Sequence, residues 1–133
     1  MSVNMVEVGH VDADVYDIRV RDHLLSVDQP VEAGGSDKAP TPVELFVASL
    51  ASCVAFYAGR YLHRHGIDRT GLRVHAEYDL ATDRPARVVS LRITIRPPDG
   101  FPAERVAALT AVAAHCTVHN TLTVPPDVSI VVG

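Results

Sequence analysis

The sequence predicts a mixed fold of antiparallel β-hairpins with a long helix between them, in one domain over residues 1–133. Three observations carry this. Apolar and polar residues alternate in both the first third and the middle of the chain, the period of a half-buried strand. A complete helix-start signal stands at Thr41. A chain of 133 residues is long enough to bury about two-thirds of its unfolded surface in a single core.

In the first third, Val11, Ala13 and Val15 alternate with Asp12 and Asp14. The phase then changes, Ile18 and Val20 alternate with Arg19 and Arg21, and residues 24–27 resume beyond Asp22 and His23. This reads as a hairpin turning near residues 21–23. Residues 32–40 hold Gly34, Gly35 and Pro40 without periodicity and form a loop. Thr41, Pro42 and Glu44 then supply a capping hydroxyl, a proline at the first helical position and an acid three residues after the cap. Helical character runs from there to about His65, before Gly66. Residues 45–58 are apolar or small on every side, so this helix demands cover all round, and a second copy of the chain is the natural source.

Leu72, Val74, Ala76, Tyr78 and Leu80 share one strand face, and Val89, Leu91, Ile93 and Ile95 share another, joined through residues 81–87. That is a hairpin with one covered face. Pro102 opens a second helix with Val106, Leu109, Thr110 and Ala113 inward. A short helix over residues 117–123 and a closing strand over residues 127–132 complete the chain.

Composition narrows the function. Hydrophobic content is 47%, charged content 21% and net charge −4, giving no basic surface for nucleic acid or anionic membrane. The first ten residues lack the basic start and apolar core of a secretory signal, and the apolar run of about 14 residues falls short of the roughly 20 a bilayer needs. A cytoplasmic protein is expected. There, paired cysteines serve catalysis, redox sensing or metal binding more often than structure.

The chain has two cysteines. Cys53 lies in the dry part of the long helix, Cys116 at a polar helix boundary, an arrangement suited to an attacking and a resolving thiol. Helical spacing puts Phe46, Ser49, Leu50, Phe56, Tyr57 and Arg60 on or near the face of Cys53. Burial alone makes a thiol inert, so reactivity needs a cation, and Arg19 or Arg21 of the hairpin are the candidates outside the helix. Two plainer readings compete. Both cysteines can be core residues, and Cys116 with His119 has zinc-ligand spacing that Cys53, His63, His65 or His115 could complete. The mid-helix place of Cys53, with no ligand one turn away, argues against zinc, and His115 and His119 read as boundary residues. Glu44, nine positions before Cys53, falls roughly opposite it on the helix and reads as a cap. Serine-nucleophile elbows, phosphate-cradling loops and paired metalloprotease histidines are absent from the sequence.

From Thr41 through Cys53 the segment TPVELFVASLASC resembles the cysteine-bearing central helix of the OsmC/Ohr family, the osmotically inducible and organic hydroperoxide resistance proteins. Cys116-Thr-Val-His-Asn, followed by Asp127-Val-Ser-Ile, resembles the family's second-cysteine segment and last strand. The resemblance implies an α+β fold as an intertwined homodimer, two long central helices flanked by antiparallel sheets. It implies a thiol peroxidase for organic hydroperoxides, with Cys53 peroxidatic, Cys116 resolving and Arg21 steadying the thiolate. No cofactor and no metal are expected, and the resemblance implies an external dithiol reductant, a lipoyl-bearing protein among the possibilities. Two positions depart from the family's pattern. Val43 follows the proline where the organic hydroperoxide branch has a glutamate, and Thr117 follows the second cysteine where proline is common. A redox-sensing or small-molecule-binding dimer without efficient turnover is the alternative function.

Overall fold

The computed structural model describes residues 4–133, so the first three residues of the expected non-secretory N-terminus lie outside it. The chain forms two compact units, Met1–Phe46 and Val47–Gly133.

The first unit is a three-stranded antiparallel meander in the order β1 (Glu7–Asp12), β2 (Val15–Val20), β3 (His23–Val27). Val20 pairs with His23, so Arg21 and Asp22 make the expected turn, with Arg21 at φ 54°. The phase change upstream proves to be a turn of its own. Ala13 stands at φ 49° between β1 and β2, so Val11 and Val15 belong to different strands rather than to one alternating run. After β3 the buried Asp28 carboxylate accepts backbone N–H bonds from Gln29 (2.7 Å) and Lys38 (3.0 Å), while its own N–H donates to the Pro40 carbonyl (3.1 Å). These bonds close residues 28–40 into a fixed loop. A Cβ on Gly35 would stand 2.1 Å from the Gln29 carbonyl oxygen, so the loop admits glycine alone there.

Helix α1 (Pro42–Arg64) opens with the predicted reciprocal cap. The Thr41 N–H donates to Glu44 Oε1 (2.8 Å) and the Glu44 N–H to Thr41 Oγ1 (3.1 Å), which accounts for Glu44 structurally. In the second unit, Leu50, Val54, Ala58, Tyr61 and Leu62 of α1 form the core with Leu109 and Ala113 of α2 (Val106–Ala113) and with Cys116, ahead of α3 (Thr117–Thr123). Strands β4 (Arg73–Leu80) and β5 (Val88–Arg96) pack Val74, Leu91, Ile93 and Ile95 against that core. Their register places Val74 opposite Ile95, Ala76 opposite Ile93 and Tyr78 opposite Leu91. On the outer face Arg92 donates to Asp79 (2.8 Å) and Glu77 (3.4 Å).

Several expectations are corrected. Within the chain α1 buries one side only. Phe56 stays 55% exposed and Val43 and Phe46 are also exposed, because small and aromatic residues occur on every side while the core reaches one. By length and composition α1 is also apolar enough to cross a bilayer, where the 14-residue count had fallen short, and Ala58 and Leu62 on its inner side are wholly buried within the fold. A register shift at Asp79 and Leu80 sets Leu80 opposite Val88, and Leu80 and Val89 leave the covered face. A 3₁₀ turn over Ala103–Arg105 precedes α2, and of its expected inner stripe only Leu109 and Ala113 are buried, Val106 and Thr110 being exposed. Residues 127–132 are not a strand. Val128, Ile130, Val131 and Val132 are highly exposed, and among the described residues no strand pairs with this run, so it has no ladder to join.

Candidate active site

Both cysteines lie in the second unit and are free thiols. Cys53 sits mid-way along α1, partly buried on the border of the core, where its backbone groups are consumed by the helix. Cys116 is fully buried and caps α3. Its φ of −69° and ψ of 154° put it outside the helix, and its sulfur accepts the His119 N–H at 3.4 Å. Cys53 packs against the core cluster that contains Cys116, and the two thiols are close enough to influence each other's protonation.

Burial pushes the Cys116 thiol above its ordinary pKa, and the neighbouring Cys53 thiol pushes the same way, against the backbone N–H groups of His119 and Val118. Cys116 therefore keeps its proton at neutral pH.

A further bond holds this arrangement. One turn beyond Cys53, the Tyr57 hydroxyl lies 2.8 Å from Thr117 Oγ1, at the first residue of α3. The central helix is thereby tied to the segment that carries Cys116. Thr117 was recognisable in the sequence only as a hydroxyl where proline is usual, and nothing there paired it with Tyr57. Arg105, also missed, donates to the Tyr61 hydroxyl (3.3 Å) and to His65 Nδ1 (3.1 Å). Its partners are far away in sequence, so only the fold makes the set visible.

Two concavities flank the thiols' helix. One, of about 420 Å³, is lined by Leu50, Val54, Leu91, Ile93, Ile95 and His119 among others. Leu50 thus faces the core rather than the approach to Cys53. The other, of about 200 Å³, is lined by Phe56, Tyr57, Arg60, Tyr61, Arg64 and Val112.

Of the remaining sequence candidates, Arg21 is exposed at the β2–β3 turn and Arg19 is exposed on β2, both in the first unit, where they line a cavity with Asn4, Met5 and Glu7. His119 Nδ1 lies 2.5 Å from the Ala114 carbonyl and His115 Nδ1 2.6 Å from that of Ala111, so both rings close the turn between α2 and α3. Among the described residues no three His, Cys, Asp or Glu side chains converge as metal ligands.

Solved structures share this fold. A protein of Psychrobacter arcticus described as induced by osmotic stress and active in the detoxification response aligns at a TM-score of 0.82 and 22% identity, over 91% of this chain and 89% of that one. An OsmC-like protein of Mycoplasma pneumoniae aligns at 0.77 and 13% identity, over 92% and 88%. An organic hydroperoxide resistance protein OsmC of Legionella pneumophila aligns at 0.65 and 21% identity, over 92% and 90%. No curated protein matches the chain. At these identities the likeness establishes the α+β fold. The model of the OsmC-like protein family matches residues 35–131, most of the chain and both cysteines, and the chain belongs to that family.

Proposed function

We propose that the protein is a thiol-dependent peroxidase that reduces organic hydroperoxides, with Cys53 as the attacking and Cys116 as the resolving thiol. The nearness of the two thiols is the observation that carries this reading, because the more accessible Cys53 packs beside the buried Cys116 that must later condense with it. The thiolate of Cys53 attacks the terminal oxygen of ROOH, the O–O bond breaks, and RO⁻ leaves and takes a proton to become ROH. Cys53 is then a sulfenic acid. Cys116 supplies its sulfur and its proton, a disulfide forms and water departs. An external dithiol, such as a lipoyl-bearing protein, returns both thiols to the reduced state.

Arg21 is the proposed cation that favours the Cys53 thiolate, with Arg19 as the weaker candidate. The whole chain acts as one OsmC-like domain and as an intertwined homodimer in the cytoplasm, where free thiols persist between turnovers. Exposed Phe46 on α1, and Val128, Ile130, Val131 and Val132, which join no strand among the described residues, support the dimer, since a second copy supplies apolar cover and a strand partner.

After one equivalent of cumene hydroperoxide, mass spectrometry is expected to find Cys53 joined to Cys116 within one chain. Such a bond requires their Cα atoms within about 7 Å. A stable sulfenic or sulfinic acid on Cys53 with Cys116 untouched would refute the resolving role and favour the sensing alternative.

A further inference from the structure

The cleft lined by Phe56, Tyr57, Arg60, Tyr61, Arg64 and Val112 carries two guanidinium groups and no carboxylate in its lining. On a straight helix Arg60 lies seven and Arg64 eleven positions beyond Cys53, each within roughly 20° of its direction and about 10 and 16 Å further along the axis. Tyr57 stands between Cys53 and Arg60, about 40° from the direction of Cys53. The Cys53 sulfur, an aromatic patch and two guanidinium groups thus form one line along α1.

Neither arginine is paired with an acid. Among the described residues the ion pairs are those of His75, Arg87 and Arg92, all outside this cleft. Arg60 lies over the Phe56 ring at 4.9 Å, which leaves the edge of its guanidinium available to a ligand. Arg64, in the last turn, compensates the helix dipole and forms no ion pair among the described residues. Arg105 adds a third cation behind Tyr61. In a chain of net charge −4, three arginines around one aromatic cleft with no carboxylate are a local reversal of sign.

We infer that Arg60 and Arg64 form an anion subsite that selects ligands whose reactive end reaches Cys53 and whose carboxylate lies about 10 Å or more away across Phe56 and Tyr57. The preferred hydroperoxides are accordingly amphiphilic: an alkyl or aryl body with an anionic group at the far end. The subsite rests on the peroxidase reading only in naming a hydroperoxide as the natural ligand. Its charge preference is a property of access to Cys53 by any thiol-directed reagent.

The test uses that property. In the Cys116→Ser protein, where Cys53 is the single thiol, it is reacted with the dicarboxylate 5,5′-dithiobis(2-nitrobenzoate) and with the neutral 4,4′-dithiodipyridine. In each case the Cys53 thiolate attacks one reagent sulfur, the S–S bond breaks, a mixed disulfide forms and an arylthiolate leaves. The ratio of the anionic to the neutral rate constant is expected to fall roughly fivefold with Arg60→Gln, and again with Arg64→Gln. The lysine variants should keep most of it. With both arginines in place, raising salt from about 50 mM to about 500 mM should lower the same ratio, so a variant that fails to fold does not leave the matter open. A ratio that stays within about twofold across the variants and across salt overturns the subsite. Turnover of cumene hydroperoxide against its ring-carboxylated analogue is the companion measurement. Failure to turn over either peroxide defeats the peroxidase reading, while the two disulfide reagents still decide the subsite.

Discussion

Cys53 and Cys116 occupy opposite kinds of helical position. In the interior of α1 every backbone group near Cys53 is satisfied by the helix, so its sulfur is positioned by side-chain neighbours and stays partly accessible. At the N-cap of α3 the Cys116 sulfur accepts a backbone N–H, is fully buried and keeps its proton. One thiol is held at the border of the core and is partly exposed. The other is held by the backbone and is buried. In the proposed cycle the same element, sulfur on a helix, takes two roles according to where on the helix it sits.

The sharpest way to break this comparison is to remove each sulfur in turn. Cys53→Ser is expected to lower peroxide turnover by more than roughly 10³-fold, as removal of a nucleophile does. Cys116→Ser should leave a first oxidation of Cys53 but no intramolecular disulfide, so a dimedone-trappable sulfenic acid accumulates. Equal loss of that first oxidation in both variants would erase the distinction between the two thiols.

A smaller effect tests what borders the accessible thiol. Phe56, Tyr57 and Val112 line the adjoining cleft, and a bulky organic peroxide that buries about 100 Å² of apolar surface there gains about 2.5 kcal/mol, on the order of 50-fold over hydrogen peroxide. Stopped-flow rate constants for cumene hydroperoxide and hydrogen peroxide measure this directly. Equal values would show that Cys53 is approached from an apolar surface in name only.

Much of this was legible in the sequence, and the limits of legibility have physical causes. The capping box at Thr41 and the end of α1 are local signals, set by backbone groups that nearby residues must satisfy, and they read correctly. The β4–β5 pairing was legible from alternation, but the bulge that turns out Val89 was not, because a single extra residue leaves the apolar count unchanged. The turn at Ala13 was hidden because its residues continue the alternation by chance. Residues 127–132 have strand composition without a strand, since pairing is a property of neighbours rather than of propensity. At the site, each cysteine's setting was readable from its flanking residues, whereas the Tyr57–Thr117 and Arg105–Tyr61 bonds join segments that only the fold brings together.

The Tyr57–Thr117 bond is where the comparison is most finely held. It joins the helix of the accessible thiol to the first residue after the fixed one, so it bears on how often the two sulfurs meet rather than on the reactivity of either. Tyr57→Phe keeps the ring against Phe56, whose centroid lies 5.6 Å away, and deletes only the hydroxyl. The loss of one hydrogen bond of about 1 kcal/mol is expected to lengthen the lifetime of the Cys53 sulfenic acid about fivefold, and to raise its overoxidation in excess peroxide in proportion. Thr117→Val removes the same bond from the other side. If the bond is the cause, the double variant should be no slower to form the disulfide than the slower single one, whereas independent effects would multiply. Thr117→Ser, which restores a hydroxyl at the same position, should recover the faster condensation. A sulfenic acid lifetime unchanged in Tyr57→Phe would mean that the N-cap alone fixes Cys116 and that the link between the helices plays no part in bringing the sulfurs together.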